Sequence, residues 1–296
     1  MRTAFIAIVG RPNVGKSTLM NHLLGEKVAI VSPKPQTTRN RIAGILTKGE
    51  DQYVFLDTPG VHHAKNKLGE FMMKTVRSSV GSADAVILIA EAGYPAGEIE
   101  KNLINQIKKS ELPSILVLNK IDLVNREKLA ETIANYAALH DFDAVVPTCA
   151  ETGKNVSDVL DEAEKFLYEG EWMFDEDSLT DQPERQIAAE IIREKLLRTL
   201  SDEIPHGTAV VIEQFDEDDK MIRIRAEIYC EKQSHKGIIV GKNGETLKEI
   251  GTYAREDMEA FFGTKVYLNL WVKVKEKWRD DQLSLNSFGF KPEQNM

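Results

Sequence analysis

The chain has 296 residues, of which 42% are hydrophobic and 29% charged, with a formal net charge of −9 at pH 7. This usage excludes a wholly disordered, collagenous or coiled-coil chain, and the length predicts two domains, each able to bury its own core. No uncharged apolar run approaches the roughly 18 residues of a membrane span. The amino terminus has no leader pattern, and two cysteines, Cys149 and Cys230, are too few for a disulfide framework or a zinc site, which together predict a cytoplasmic protein.

Apolar, β-branched runs at 5–9, 53–56, 85–90, 114–118 and 144–146 have the composition of buried strands. Helical periodicity at 17–24, 67–80, 97–109, 126–139 and 156–168 separates them, so strand and helix alternate as in an α/β doubly wound, mostly parallel sheet. The acidic, aperiodic stretch 169–178 reads as a linker whose Trp172 and Phe174 could pin it to a domain. Beyond it come a helix at 184–200, strands at 208–215 and 221–229, helices at 235–240 and 245–262, and a strand at 265–274, an α-β-β-α-α-β order. The expected division is a first domain at 1–172, an acidic linker at 173–183, an α+β domain at 184–282 and a mobile polar tail at 283–296. Charge divides with it: residues 220–279 hold thirteen Lys or Arg against eight Asp or Glu, so a basic module is attached to an acidic one.

Gly10-Arg11-Pro12-Asn13-Val14-Gly15-Lys16-Ser17, with Thr18 behind it, joins the first apolar run to the first helical pattern. The spacing G-x-x-x-x-G-K-[ST] in that context is a phosphate-binding loop. Its glycines let backbone N–H groups close on phosphate oxygens, the helix start adds positive potential, Lys16 reaches the β- and γ-phosphates and Ser17 ligates Mg²⁺. Asp57-Thr58-Pro59-Gly60, followed by Val61, ends the run at 53–56, where an acid can hold Mg²⁺ and the Gly60 N–H can face a γ-phosphate. Asn119-Lys120-Ile121-Asp122 ends the run at 114–118, and the Asp122 carboxylate can accept both hydrogens from N1 and N2 of guanine, a pair that adenine lacks. Thr148-Cys149-Ala150 follows the last run, placed for a backbone N–H to meet the guanine oxygen. Four such elements in order, each at the carboxyl end of a strand, lie where an open parallel sheet binds its ligand.

On those motifs the first 170 residues resemble a translation-factor-type GTPase, which implies binding of GTP and GDP. In such proteins a threonine in the position of Pro35-Gln36-Thr37-Thr38-Arg39 senses the γ-phosphate and completes the Mg²⁺ shell; the spacing does not choose between Thr37 and Thr38, and Thr38 is favoured. The resemblance therefore implies a catalytic set of Lys16, Ser17, Thr38 and Gly60 and a metal set of Ser17, Thr38 and Asp57. Val61 stands where Ras-like proteins carry a water-orienting glutamine, and its side chain cannot hydrogen-bond water, so slow intrinsic hydrolysis is expected. Relatives with a hydrophobic residue there and an asparagine in the place of Asn13 can use K⁺ as an activating ion. Cys149 departs from the usual serine.

In the second domain, Gly241-Lys242-Asn243-Gly244 places a G-x-x-G turn between two helical patterns, and with the element order and positive balance this resembles a type II KH domain. Gly241, Lys242, Asn243, Gly244, Lys236 and Ile239 are the expected RNA-binding residues, with Ile238, Ile239 and Val240 split between groove and core. Lys273, Lys275, Lys277 and Arg279 recur at period two, fitting either a phosphate-facing edge or a solvated face.

A GTPase domain followed by a KH domain resembles the bacterial Era family of ribosome-assembly GTPases, over essentially the whole chain. The resemblance implies a monomer acting on 16S rRNA near its 3′ end during maturation of the 30S subunit, with peripheral contact at the inner face of the plasma membrane. Two other readings are an RNA-binding module in which hydrolysis is incidental and a GTPase that supports tRNA modification. Asp122→Asn should weaken GTP binding and leave folding intact; nucleotide titration with far-UV circular dichroism checks both, and unchanged affinity would refute the guanine assignment.

Overall fold

The structure, a computed structural model, describes residues 1–291. In chain order its elements are β1 (Arg2–Val9), α1 (Lys16–Leu24), β2 (Ile42–Lys48), β3 (Asp51–Asp57), α2 (Lys67–Gly81), β4 (Ala85–Glu91), α3 (Glu98–Ser110), β5 (Ser114–Asn119), α4 (Arg126–Ala137), β6 (Ala144–Pro147), α5 (Val156–Ala163), β7 (Tyr168–Glu169), α6 (Glu184–Thr199), β8 (Ala209–Asp218), β9 (Met221–Cys230), α7 (Gln233–Val240), α8 (Glu245–Phe262), β10 (Lys265–Val274) and α9 (Gln282–Ser287). They form two compact units: residues 1–63 with 72–181, and residues 64–71 with the chain from 182 onward.

In the first unit the strand order is β2-β3-β1-β4-β5-β6, with β2 antiparallel to β3 and the remaining neighbours along that path parallel. Successive residues of the central strands bury against opposite layers, which is why those strands are apolar throughout. Ile6, Ile8, Ile87, Ile89 and Val117 meet Leu19 and Met20 of α1 and Val156 and Val159 of α5. Ala7, Val9, Leu88 and Leu116 meet Val76 of α2, Leu103 and Ile107 of α3 and Tyr136 of α4. Every parallel strand thus ends its carboxyl terminus along one edge, and the four motifs follow from those ends.

Three features depart from the sequence reading. Strand β2 was not foreseen: its short run is interrupted by Gly44, and only pairing along the whole of β3 reveals it. The helix expected at 156–168 stops at Ala163, because Tyr168 and Glu169 leave it to pair with Thr3 and Arg2 of β1. The expected mobile tail is ordered up to residue 291: Asp281 caps α9 by accepting from the Ser284 N–H at 3.0 Å, and Phe290 is buried against Trp278 with ring centroids 6.0 Å apart. Its polar composition hid Leu285 and Phe290, whose apolar surface pulls the segment down; residues 292–296 of that tail lie outside the described residues.

The acidic stretch after β7 is bound chain. Gln52 accepts the Met173 and Phe174 N–H groups at 2.9 and 3.1 Å and donates to the Phe174 carbonyl at 2.9 Å, and Trp172 donates to the Glu50 carbonyl at 3.2 Å. Farther along, Ile45 donates to the Leu179 carbonyl at 2.9 Å and Thr180 to that of Ala43 at 2.7 Å. The open edge of β2 is covered by this strap, which removes a free row of backbone donors and acceptors.

The second unit is a three-stranded sheet, β10-β9-β8, with β10 parallel and β8 antiparallel to β9. Ile222, Ile224, Ala226 and Ile228 of β9 pack with Ile192 and Leu196 of α6, Ile239 of α7 and Ile250, Ala254 and Met258 of α8. Trp278 is fully buried, donates its indole N–H to the Gly207 carbonyl at 2.9 Å and stacks on Phe290. Phe290→Ala should cost this unit roughly 3 kcal/mol, the low end for a buried phenylalanine; urea unfolding followed by tryptophan fluorescence checks it, and a midpoint equal to wild type would restore the mobile tail.

Candidate functional site

The loop between β1 and α1 opens onto a cavity of about 610 Å³ at the carboxyl edge of the sheet. That volume lies within the range of small-ligand sites. Helix α1 starts at Lys16, so its first N–H groups and the positive end of its dipole face the cavity. Lys16 is buried and donates to the Arg11 carbonyl at 2.8 Å. Burial lowers its ammonium to a pKa of about 8, against the raising influence of Asp57. Pro12, Asn13, Gly15, Lys16, Ser17 and Thr18 line the cavity. Arg11 instead forms an ion pair with Glu100 of α3, a buried carboxylate that also accepts the Gly97 N–H at 3.0 Å. Gly10 and Val14 act by backbone: the Gly10 carbonyl accepts the Val61 N–H at 3.0 Å and that of Val14 accepts from Asn119 at 2.7 Å.

Ser17, Thr38 and Asp57 converge. Ser17 Oγ lies 2.6 Å from Asp57 Oδ2 and 3.0 Å from Thr38 Oγ1, and Thr38 Oγ1 donates to Asp57 Oδ2 at 3.1 Å. Thr37 Oγ1 points elsewhere, donating to the Lys34 carbonyl at 2.7 Å. Asp57 Oδ1 is buried without a hydrogen-bond partner, and burial pushes this carboxyl above its ordinary range despite Lys16 nearby. A carboxylate oxygen left unpaired beside two hydroxyl oxygens is an all-oxygen donor set that fits a hard divalent cation such as Mg²⁺.

The Asp57–Gly60 segment closes the phosphate end. Thr58 donates its hydroxyl to the Ile8 carbonyl at 2.7 Å, so that side chain and buried Pro59 fix the strand end and do not line the cavity. Gly60 does line it, pressed so close to the loop that an added Cβ would lie 2.6 Å from Pro12 Cα. Val61 packs on the apolar layer above β4, away from the cavity. His62 Nδ1 lies 2.8 Å from the Gly60 carbonyl.

At the base end, Asn119 Oδ1 accepts the Ala150 N–H at 2.8 Å and the Thr148 hydroxyl at 3.2 Å. Lys120, with φ of 64°, lines the cavity and donates to Glu91 at 3.0 Å, and Asp122 lines it from an exposed turn. One expectation needs correction: the N–H groups of Thr148, Cys149 and Ala150 are donated to the Leu118 carbonyl, the Lys154 carbonyl and Asn119, so none is left open toward the base. Cys149 and Ala150 contribute cavity wall. Residues that the sequence reading missed include Ile30, Val31, Ser32 and Leu123 on the wall, and Glu100 and Glu91 behind Arg11 and Lys120. None belongs to a motif; Glu100 carried the one available signal, a carboxylate three residues after Gly97 at a helix start.

In the second unit the Gly241–Gly244 turn presents exposed Lys242 and Asn243 between α7 and α8. Gly241 has φ of 75°, and a Cβ there would lie 2.2 Å from Thr246 Oγ1 and 2.9 Å from its backbone nitrogen. Lys236 is half-buried on α7. Ile239, expected at the RNA, is fully buried in the core because that face of α7 packs on the sheet; Ile238 beside it is half exposed. Of the period-two cations, Lys273 pairs with Glu227 and Arg279 with Glu231, and β10 ends at Val274, so the four do not form one strand face. A groove of about 490 Å³ lies between α8 and β10, lined by Gly244, Lys248, Arg255, Tyr267 and Asn269 among others.

Fold and site define a P-loop GTPase joined to a KH module. The family described as 50S ribosome-binding GTPase matches residues 5–120, and the KH domain family matches residues 203–279. The chain is 46% identical to GTPase Era of Ruminiclostridium cellulolyticum, covering 99% of both chains, and 48% identical to GTPase Era of Clostridium botulinum, covering 98% of both. A solved structure of Era with MgGDPNP and nucleotides 1506–1542 of 16S ribosomal RNA superimposes with a TM-score of 0.94 at 39% identity, over 98% of this chain and 99% of that one. Era of Aquifex aeolicus bound to GDP and AlF4⁻ matches with the same TM-score, identity and coverage. The chain belongs to the Era family of GTPases. Among the described residues no helix is long and apolar enough to cross a membrane.

The hydroxyl geometry separates two adjacent threonines. Thr38→Ala should lower Mg²⁺-dependent GTP turnover at least ten-fold, about 1.4 kcal/mol of barrier, while Thr37→Ala stays within about three-fold. Single-turnover hydrolysis over a Mg²⁺ series checks this, and equal losses would remove the distinction.

Proposed function

We propose that the chain binds GTP in the 610 Å³ cavity, hydrolyses it with Lys16, Ser17, Thr38 and Gly60 as the contacting residues, and carries 16S rRNA near its 3′ end in the KH groove during 30S maturation. The observation that carries the reading is the convergence of Ser17, Thr38 and the unpaired Asp57 carboxylate directly beneath the phosphate loop. Mg²⁺ bound there would neutralise β- and γ-phosphate charge. Lys16 supplies the second positive centre from a buried position, and Gly60 lines the same end, where its N–H would meet the γ-phosphate. Asp122 and Lys120 hold the base. With Val61 packed into the core side, the residue directly after Gly60 offers no polar group to a water, which supports slow intrinsic turnover. Asn13 supports potassium as the activating ion: its Nδ2 donates to the Pro33 carbonyl at 2.7 Å while its side chain lines the cavity, leaving its carboxamide oxygen as a ligand at the phosphate end.

The RNA part rests on likeness to the solved complex together with the strained Gly241 turn and the adjoining groove. Binding of a labelled RNA spanning nucleotides 1506–1542 of 16S rRNA should fall at least ten-fold in Gly241→Asp, because that side chain collides with Thr246 backbone, while GTP affinity is unchanged. Equal RNA affinity in the variant would remove the KH loop from the reading. Replacing Na⁺ by K⁺ at constant ionic strength should raise turnover several-fold, and Asn13→Ala should abolish the difference; a rate indifferent to the cation would remove potassium.

A further inference from the structure

The sheet of the second unit buries one face; on the other, Phe288 covers Tyr229 with ring centroids 4.5 Å apart and Glu227 is buried, while Arg223, Arg225, Tyr267 and Trp271 stay exposed. Even-numbered residues of β9 point into the core, so Arg223, Arg225, Glu227 and Tyr229 point out. On β10, Tyr267, Asn269, Trp271 and Lys273 share that outer face, paired in register with those four in the same order. Tyr267 and Trp271 are 58% and 57% exposed, large aromatic surfaces left open among the described residues. Four residues apart on one strand, the two rings are spaced by about 13 Å.

The charges around these rings are unequally committed. Arg223 is paired with Asp218, and Lys273 with Glu227, which also accepts the Tyr229 hydroxyl at 2.6 Å. Arg225 is exposed and has no ion pair among the described residues. Its register partner is Asn269, which places the guanidinium strand position diagonally between the two rings. The acids of β8, Asp216 and Asp218, bound the face on the far side of β9. Tyr267 and Asn269 also line the groove between α8 and β10, so groove and outer face meet across the edge of β10.

We propose that single-stranded RNA leaving the KH groove crosses this edge, stacks bases on Tyr267 and Trp271, and passes its backbone beside Arg225. The proposal rests on the groove being the RNA site. Two separated rings with a polar Asn269 and an unpaired cation between them do not make the contiguous apolar patch that a protein partner buries. They match the sheet platforms on which unpaired bases stack, where affinity comes from π-faces and a tracking cation. Because β8 is acidic, the polyanion is confined to the β9–β10 side.

The full-length protein is titrated with the labelled 1506–1542 RNA and with its stepwise truncations, over a KCl series. Trp271→Ala should weaken the full segment about ten-fold with an unchanged salt slope, Trp271→Phe should restore most of the loss, and truncation should reach a length beyond which Trp271→Ala has no effect. Arg225→Ala should instead reduce the slope of log affinity against log salt by about one phosphate contact. Gly241→Asp is the groove control. If it weakens binding while both outer-face variants bind every length like wild type, the outer path is overturned and the groove stands. If Gly241→Asp has no effect, the groove reading fails first and the proposal with it. A loss in Trp271→Ala that is equal at every length, or that phenylalanine does not restore, overturns the stacking role.

Discussion

Asn119 donates from its carboxamide nitrogen to the Val14 carbonyl and accepts at its oxygen from Ala150 N–H and Thr148 Oγ, and it is 3% exposed. One amide therefore ties the phosphate loop, its own strand end and the loop after β6 into a single body. Leaving such a group buried and unpaired costs about 1–3 kcal/mol, so the three loops hold one another at fixed spacing before any nucleotide arrives. The neighbouring residues inherit that frame: Lys120 takes a left-handed conformation directly after Asn119, which turns its stem across the cavity toward Glu91, and Asp122 follows in the next turn. The same demand explains why the Ala150 N–H is not free for the base.

At the other end of the cavity the constraint is charge. Lys16 and Asp57 are both buried, and burial acts on them in opposite directions, lowering the ammonium and raising the carboxyl. Each is an incompletely compensated charge, since Lys16 has a carbonyl partner and Asp57 Oδ1 has none. A ligand that brings negative oxygens to Lys16 and a cation to Asp57 relieves both at once, which no simple anion or metal does alone. This physical reason favours a metal–polyphosphate complex over either component, and it couples Thr38, on a loop with few buried apolar side chains, to the occupancy of the site.

The parts legible in the sequence were those whose chemistry is local. The glycine spacing of the phosphate loop, the acids at strand ends and the period of the central strands are each decided within a few residues, and the structure places Lys16, Ser17, Gly60, Asn119 and Asp122 around one cavity. What stayed hidden depends on distant partners. Strand β2 exists because β3 offers it seven register positions, the strap at 172–181 because Gln52 and the β2 edge need partners, and the ordered tail because Trp278 presents a ring to Phe290. Ile239 was misplaced for the same reason: the helical run Ile238-Ile239-Val240 has two apolar faces in one dimension, and only the docked sheet decides which one is core. Thr37 and Thr38 were inseparable by spacing and are separated by which hydroxyl the loop turns toward Asp57.

The basic residues of the second unit are unequally committed once ion pairs are considered. Arg223, Arg255, Lys273 and Arg279 are held by Asp218, Glu259, Glu227 and Glu231, so four of the thirteen basic residues at 220–279 are committed to ion pairs. Around the groove Lys242 and Lys248 are exposed, while Arg255 shares its charge with Glu259. Each single-strand phosphate contact contributes about 0.7 to the salt slope, so a groove that offers these two exposed lysines would bind RNA with a shallow salt dependence. On the proposed RNA reading, affinity would then come from what does not screen: the fit of backbone at the Gly241 turn, hydrogen bonding from Asn243 and Asn269, and aromatic surface at Tyr267. In a chain with a net charge of −9, whose field disfavours bulk nucleic acid, the proposed site would add shape and stacking to a small local attraction.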